Sequence, residues 1–317
     1  MDLRIVLLPP GEGGPKGRMR DLQATPTPFS VVTSRHMSVL VSIVIPAYRA
    51  QAMLAEAVRS VLAQTLDDWE CIVVADDLED YSAVLESEGI RDPRIRHVST
   101  GRIGSGCHAA RNRGLTECRG EIGCALDADD VWMPRRLDVL APRAMRHGAA
   151  VDGPRVIRAN DNSVLYSAFD GYSEPFMLDV VQLLRLTCPL FPLTRRDVTF
   201  PRTDGIEHLE DVVSNLLLIH RNGAVWATPE PLMGYRVLNG SMCHGETSAK
   251  QFDKAYDAII SLVKSGCFPV ARALSATVIE KLEEKQALNR RFDAAQRENP
   301  GLDFQTFAAG QRQNSGQ

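Results

Sequence analysis

The sequence predicts an α/β fold: a mostly parallel sheet flanked by helices, followed by a helical C-terminal segment. Between residues 39 and 147, short runs rich in β-branched residues alternate with stretches carrying apolar residues at helical spacing. Parallel strands joined by crossover helices satisfy that rhythm. Several runs are apolar throughout, as expected for strands covered on both faces. A third observation concerns function. Three runs end in Pro46-Ala47-Tyr48, in Asp76-Asp77 and in Asp127-Ala128-Asp129-Asp130. In sheets of this kind, ligands sit beyond the carboxyl ends of the strands.

Taken in order, residues 39–45 read as a buried parallel strand closed by Pro46. Residues 52–64 follow as a helix with Leu54, Val58, Val61 and Leu62 on one face. A second buried strand is expected at 69–74, a helix at 81–88 and a short third strand at 95–98. Residues 105–116 read as a helix opened by glycines, 121–126 as a fourth strand and 135–147 as a helix. The second half is less regular. Residues 179–186 and 209–221 read as helices, the latter closed by Asn222-Gly223. Residues 251–265 and 271–297 are amphipathic helical stretches, and 311–317 is a polar tail. Residues 1–37 are rich in Pro, Gly, Thr and Arg without periodicity, and disorder is expected there.

Composition narrows the classes. The 317 residues are 44% hydrophobic and 24% charged, ordinary for a soluble domain, and the net charge of -4 gives no reason to expect nucleic acid as partner. No apolar run approaches the roughly 20 residues of a membrane span. The seven cysteines are scattered without a Cys-x-x-Cys pair. That excludes a zinc ribbon or a thioredoxin-type site and fits a reducing cytosol.

Three carboxylates in four residues, Asp127, Asp129 and Asp130, repel one another unless a cation compensates. Hard oxygen ligands select Mg²⁺ or Mn²⁺. A solvated turn and helix N-cap would carry the same residues. Asp76 and Asp77 suit hydrogen bonds to a base or ribose, or a polar turn. Glu210 and Asp211, early in an apolar helix, suit either a general base or the favourable placement of acids at a helix N-terminus. Arg111, in the small-residue stretch 109–114, suits phosphate contact or a structural ion pair. Tyr235-Arg236 and Ser241 suit phosphate contact or a strand end. His108, His208 and His244 lie near these segments without metal-ligand spacing, and His244 is a candidate for the site's mouth.

The order of these motifs resembles the family-2 inverting glycosyltransferases of the GT-A fold. Ser42-Ile43-Val44-Ile45-Pro46-Ala47-Tyr48 resembles that family's opening strand and nucleotide-contacting turn. Ser60-Val61-Leu62-Ala63-Gln64-Thr65 resembles its Ser-Val-Leu-x-Gln-Thr helix end. Residues 106–114 resemble its Gly-x-x-x-Ala-Arg-Asn-x-Gly segment, and Leu126-Asp127-Ala128-Asp129-Asp130 its metal motif. Glu210-Asp211 resembles its Glu-Asp pair, whose Asp serves as base. Tyr235-Arg236 with Ser241 resembles its closing segment. Together they cover residues 38–242. One departure stands out. The family's Asp-Asp-Gly-Ser-x-Asp is replaced by Asp76-Asp77-Leu78-Glu79-Asp80, so the register of the two acids is open by one residue.

The resemblance implies a Rossmann-like GT-A domain over 38–245, with a nucleotide-binding half at about 38–130 and an acceptor half at about 131–245. Residues 246–317 form a helical appendage and tail. It implies transfer of a sugar, with inversion, from a nucleotide diphosphate-sugar, foremost a UDP-sugar. The acceptor is a saccharide or lipid-linked saccharide, in bacterial polysaccharide or lipopolysaccharide synthesis, in the cytoplasm or at the inner face of the membrane. Asp129 and Asp127 would hold Mn²⁺ or Mg²⁺, and Asp211, with Glu210, would act as base. Pro46, Ala47, Tyr48, Asp76, Asp77, Arg111, Asp127, Ala128 and Arg236 would meet the donor. The alternative is a non-catalytic scaffold of the same fold in polysaccharide assembly. A nucleotidyltransferase lacks support because Pro46-Ala47-Tyr48 stands where its glycine-rich loop belongs. A dinucleotide-dependent oxidoreductase lacks its Gly-x-Gly-x-x-Gly after the first strand.

Overall fold

The computed structural model describes residues 40–198, 208–238 and 248–315. The expected leader, Ser241 and His244 lie outside the described residues. Val39–Gln317 forms one compact unit.

The first half follows the expected rhythm. Strand β1 (Val41–Ala47), helix α1 (Leu54–Leu62), β2 (Trp69–Ala75), α2 (Tyr81–Ser87), β3 (Ile95–Ser99), α3 (Cys107–Leu115), β4 (Ile122–Ala125), β5 (Val131–Trp132) and α4 (Arg136–His147) succeed one another. Then come β6 (Ala149–Asp152), β7 (Arg155–Arg158), β8 (Val164–Ser167), β9 (Phe176–Leu178), α5 (Val180–Arg185) and β10 (Leu193–Arg195). Helix α6 (Glu210–Asn222), β11 (Val225–Thr228), β12 (Met233–Val237), α7 (Ser248–Lys264), α8 (Ser275–Glu298) and α9 (Phe304–Ser315) complete the chain. Helix α9 runs through most of the segment read as a polar tail.

Eight strands form one sheet in the order β3-β2-β1-β4-β10-β6-β11-β9. The pairs β1–β2, β1–β4, β2–β3 and β6–β11 are parallel, and β10 runs antiparallel to both β4 and β6. A second sheet, β5-β12-β7-β8, stands beside it. The structure is therefore a mixed sheet flanked by helices.

Both faces of β1 are covered, which is why its sequence does not alternate. Val41, Ile43 and Ile45 pack with Leu54, Val58 and Val61 of α1 and with Leu137 and Leu140 of α4. On the other face Val44 packs with Ile72, Val74 and Ala110. Gly114 lets α3 approach the sheet closely: a Cβ there would collide with Val44 and stand 3.1 Å from Val74. In the register, Ala47 lies opposite Ala75, and Val44 lies opposite Ala125. The carboxyl ends of β1, β2 and β4 thus come together at one edge of the sheet.

Candidate active site

Three acids follow β4. Asp127, Asp129 and Asp130 bring their carboxylate oxygens within 4.8 Å of one another. Asp130, which the motif reading left without a role, is the buried member. Its Oδ1 accepts from the Arg236 backbone N–H at 2.8 Å, and its Oδ2 has no hydrogen-bond partner. Burial and the neighbouring Asp127 push Asp129 up to about 6. Burial, with Asp129 and Asp127, pushes Asp130 well above the usual carboxylate range. Crowded carboxylates that resist ionisation are what a divalent cation relieves, and an all-oxygen donor set suits Mg²⁺ or Mn²⁺. The residues present therefore fit such an ion.

The loop carrying these acids is clamped by the end of α1. Ser60 Oγ accepts from the Trp132 N–H at 3.1 Å. Gln64 Nε2 donates to the Met133 carbonyl at 2.8 Å, and Gln64 Oε1 accepts from the Leu137 N–H at 3.0 Å. Thr65 N–H donates to the Pro134 carbonyl at 2.9 Å. The Ser-Val-Leu-x-Gln-Thr motif thus positions the acidic loop.

Arg111 on α3 takes the ion-pair alternative. It is buried and donates to both Asp127 and Glu210, joining α3, the acidic loop and the start of α6. Glu210 is thereby tied down, and its second oxygen lies 3.8 Å from His108 Nδ1. Asp211, one residue on, lines a cavity together with His208 and Tyr235. Arg236 on β12 donates to the Asp129 carbonyl and to Glu56 of α1. Four buried polar atoms here have no hydrogen-bond partner: Arg111 Nε, Asp130 Oδ2, Glu210 Oε2 and Arg236 Nη2. Among the described residues, four other buried polar atoms without a partner belong to Trp69, Ser105, Trp132 and Arg136.

The acids after β2 each organise a loop. Asp76 is buried and accepts from Ser105 N–H at 3.0 Å, Gly106 N–H at 2.9 Å and Thr100 Oγ1 at 2.8 Å. It fixes the turn leading into α3. Asp77 is less buried and accepts from the Arg49 N–H at 2.6 Å and the Tyr81 hydroxyl at 2.8 Å. Burial pushes Asp77 up, but these hydrogen bonds outweigh it and hold the carboxyl below its ordinary value. Through Asp77 the Pro46-Ala47-Tyr48 turn is joined to β2. Leu78 follows with φ +63°, the left-handed conformation that glycine adopts freely. It directly follows Asp77, where the family's motif would carry glycine if Asp76 and Asp77 are its two acids. Ala128 is buried between the acids, and Tyr48 is exposed.

Residues 42–198 match the family described as Glycosyl transferase family 2. The chain belongs to this family. The glucosyltransferase WfgD of Escherichia coli, which acts on a diphosphoundecaprenol-linked GlcNAc with UDP-Glc, is 30% identical over 126 residues, 40% of this chain and 49% of that protein. The putative colanic acid glycosyl transferase WcaA of Escherichia coli is 35% identical over 101 residues, 32% of this chain and 36% of that protein. The chain thus spans half or less of the length of these two relatives. TuaG of Bacillus subtilis, a putative teichuronic acid biosynthesis glycosyltransferase, is 26% identical over 212 residues, 66% of this chain and 84% of that protein. Among solved structures, Staphylococcus aureus TarS 1-349 superposes with a TM-score of 0.60 at 14% identity, covering 88% of this chain and 92% of that one. The mannosyltransferase PcManGT of Pyrobaculum calidifontis, solved with GDP-Man and Mn2+, gives 0.53 at 15% identity, covering 87% and 79%. These likenesses show that the family-2 chain has the GT-A fold.

Proposed function

We propose that this family-2 chain transfers a sugar, with inversion, from a nucleoside diphosphate-sugar to an acceptor hydroxyl in bacterial cell-surface polysaccharide or lipopolysaccharide synthesis. The observation that carries the reading is the set of unpartnered buried polar atoms around the acidic cluster, at the joined carboxyl ends of β1, β2 and β4. Buried polar groups are ordinarily paired, and a bound donor and cation would pair these four. The relatives WfgD and TuaG support the pathway class.

Residues 38–130 seat the nucleotide and residues 131–245 the acceptor. The Pro46-Ala47-Tyr48 turn and Asp77 hold the nucleoside, with Asp76 shaping the loop beside it and uracil as the base. Asp129 and Asp127, with Asp130 beside them, would hold Mn²⁺ or Mg²⁺. When bound, that ion supplies positive charge to the leaving diphosphate. Arg111 keeps Asp127 and Glu210 in place, and Arg236 holds the acidic loop against α1. The acceptor oxygen forms a bond to the anomeric carbon as the carbon–oxygen bond to the diphosphate breaks. The nucleoside diphosphate leaves with the electron pair, and Asp211 accepts the hydroxyl proton.

No helix among the described residues is long and apolar enough to cross a membrane. We place the chain in the cytoplasm, at the inner membrane face when its acceptor is lipid-linked.

Calorimetry with a panel of nucleoside diphosphates, with and without Mn²⁺, tests the donor site. One nucleotide should bind only with the metal, and chelation should abolish its binding. A folded chain that binds none of them is the scaffold instead. With the donor identified, Asp211→Asn should reduce transfer by about 10²-fold or more while donor binding survives.

A further inference from the structure

The cavity that Asp211 lines measures about 130 Å³. Sites for small organic molecules run from roughly 300 to 1,000 Å³, so this space is too small for a whole saccharide. A groove of about 720 Å³ adjoins it, between α5, α8, α9 and the segment 165–172. Leu186 and Thr187 line both spaces. This shared wall is braced from α8 and α9. Lys285 sits on the inward stripe of α8, at the three- and four-residue spacing of the buried Leu282 and Asn289, and donates to the Leu186 carbonyl. Gln305 Nε2 donates to the Thr187 carbonyl at 3.0 Å.

Three arginines from three helices line the groove: Arg185 of α5, Arg291 of α8 and Arg312 of α9. Asp170 is the one carboxylate among the lining residues, and its Oδ2 accepts from the Ser167 N–H at 2.9 Å. In a chain of net charge -4, this concentration of positive charge is local. Arg185 and Arg291 are exposed and make no hydrogen bond or ion pair with another described residue. Arg312 is set more firmly: its guanidinium lies 4.1 Å from the centroid of the Tyr166 ring and donates to Thr187 Oγ1 at 3.3 Å. Aromatic surface stands beside the charge. Tyr172 stacks on Phe176 at 3.8 Å with Phe169 edge-on to both, and Phe169 and Tyr172 line the groove. An arginine fork matches the paired oxygens of a carboxylate or a phosphate. The face of an aromatic ring suits the C–H face of a sugar, an apolar surface edged by hydroxyls.

We propose that this groove is an acceptor subsite for an anionic saccharide, in which Arg185, Arg291 and Arg312 hold a carboxylate or phosphate on a sugar beyond the one that reacts at Asp211. The body of the acceptor has to lie outside the small cavity, and the groove is the larger space that shares its wall. Two of the three arginines come from α8 and α9, outside the family match at residues 42–198, so the C-terminal helices select the acceptor. A nucleic acid also carries anions, but the negative charge of the whole chain opposes it. The proposal rests on the transferase reading and names the class of its acceptor.

The test is calorimetry on the full chain with Mn²⁺ and its nucleoside diphosphate present. Three trimers serve as probes: one of hexuronic acid, one of hexose carrying a phosphate, and one of neutral hexose. One or both charged trimers should bind, and the one that does names the anion. The neutral trimer should bind about tenfold more weakly or not at all. Arg185→Gln combined with Arg291→Gln should weaken the charged trimer by about tenfold or more. Nucleotide binding should stay unchanged in that variant, which also establishes that it is folded. Nucleotide binding by a chain that takes neither charged trimer overturns the proposal alone. Equal binding of charged and neutral trimers, or undiminished binding by the double variant, does the same. Inorganic phosphate that binds as tightly as the trimers would make the groove a site for the free ion instead. Vesicles of anionic phospholipid that capture the chain, but not the double variant, while no trimer binds would make it a membrane contact. Absence of nucleotide binding as well overturns the transferase reading, and the proposal with it.

Discussion

Leu78 holds a left-handed backbone at φ +63° with its side chain 58% exposed, so burial contributes little to offset the strain. For a residue with a Cβ that conformation costs roughly 1–2 kcal/mol. Glycine would remove the strain but lose about 0.5–1 kcal/mol through its freer unfolded chain. Leu78→Gly should therefore gain about 0.5 kcal/mol in urea unfolding, and a clear loss would show that the leucine side chain has a stabilising partner. Gly114 has the opposite logic. A methyl group there must displace Val44, so Gly114→Ala should lose about 1–3 kcal/mol by overpacking, read from the same unfolding curves. The first effect is legible only in part from sequence: the missing glycine is visible, the φ angle is not. The second was hinted at by the glycine closing the Ala-Arg-Asn-x-Gly segment.

At the scale of elements, α1 does more than cover the sheet. Just past its last residue stands Gln64, whose amide joins the Met133 carbonyl and the Leu137 N–H across the chain. Gln64→Ala would leave those backbone groups unpaired, at roughly 1–3 kcal/mol. Because they belong to the loop behind Asp127, Asp129 and Asp130, the variant should also weaken Mn²⁺ affinity, measurable by calorimetry. Unchanged affinity in a destabilised variant would separate the clamp from the metal site. The motif was readable as a string of residues, but its work was not. A glutamine at a helix end has many partners open to it, and only the fold brings residues 60–65 against residues 132–138.

At the scale of the whole molecule, α8 and α9 meet through aromatic side chains beside the cavity of Asp211. Phe292 is buried, with Phe304 edge-on at 5.4 Å and Phe307 tilted at 5.7 Å between ring centroids. Phe292→Ala should cost about 3–5 kcal/mol. Since Phe292 also lines the cavity of Asp211, transfer should fall with it even at temperatures where the variant stays folded. Full transfer in the folded variant would mean that this wall is dispensable.

Sequence alone determined the strand–helix alternation of the first half, the acidic cluster after β4 and the order of the motifs, because buried strands, crossover helices and ligand-bearing turns leave local, periodic signals. The short strands β5 to β12 left little such signal, since two to five residues hold too few side chains to establish a period. Tertiary structure decided which of two readings each polar residue follows. Arg111 became the tie between Asp127 and Glu210, Asp130 joined Asp127 and Asp129, and Asp76 became the anchor of the turn into α3. Lys285 shows the division most clearly. Its place on a buried stripe could be read from spacing, but the Leu186 carbonyl it donates to lies 99 positions away. Such a contact depends on distance in space, which spacing along the chain does not encode.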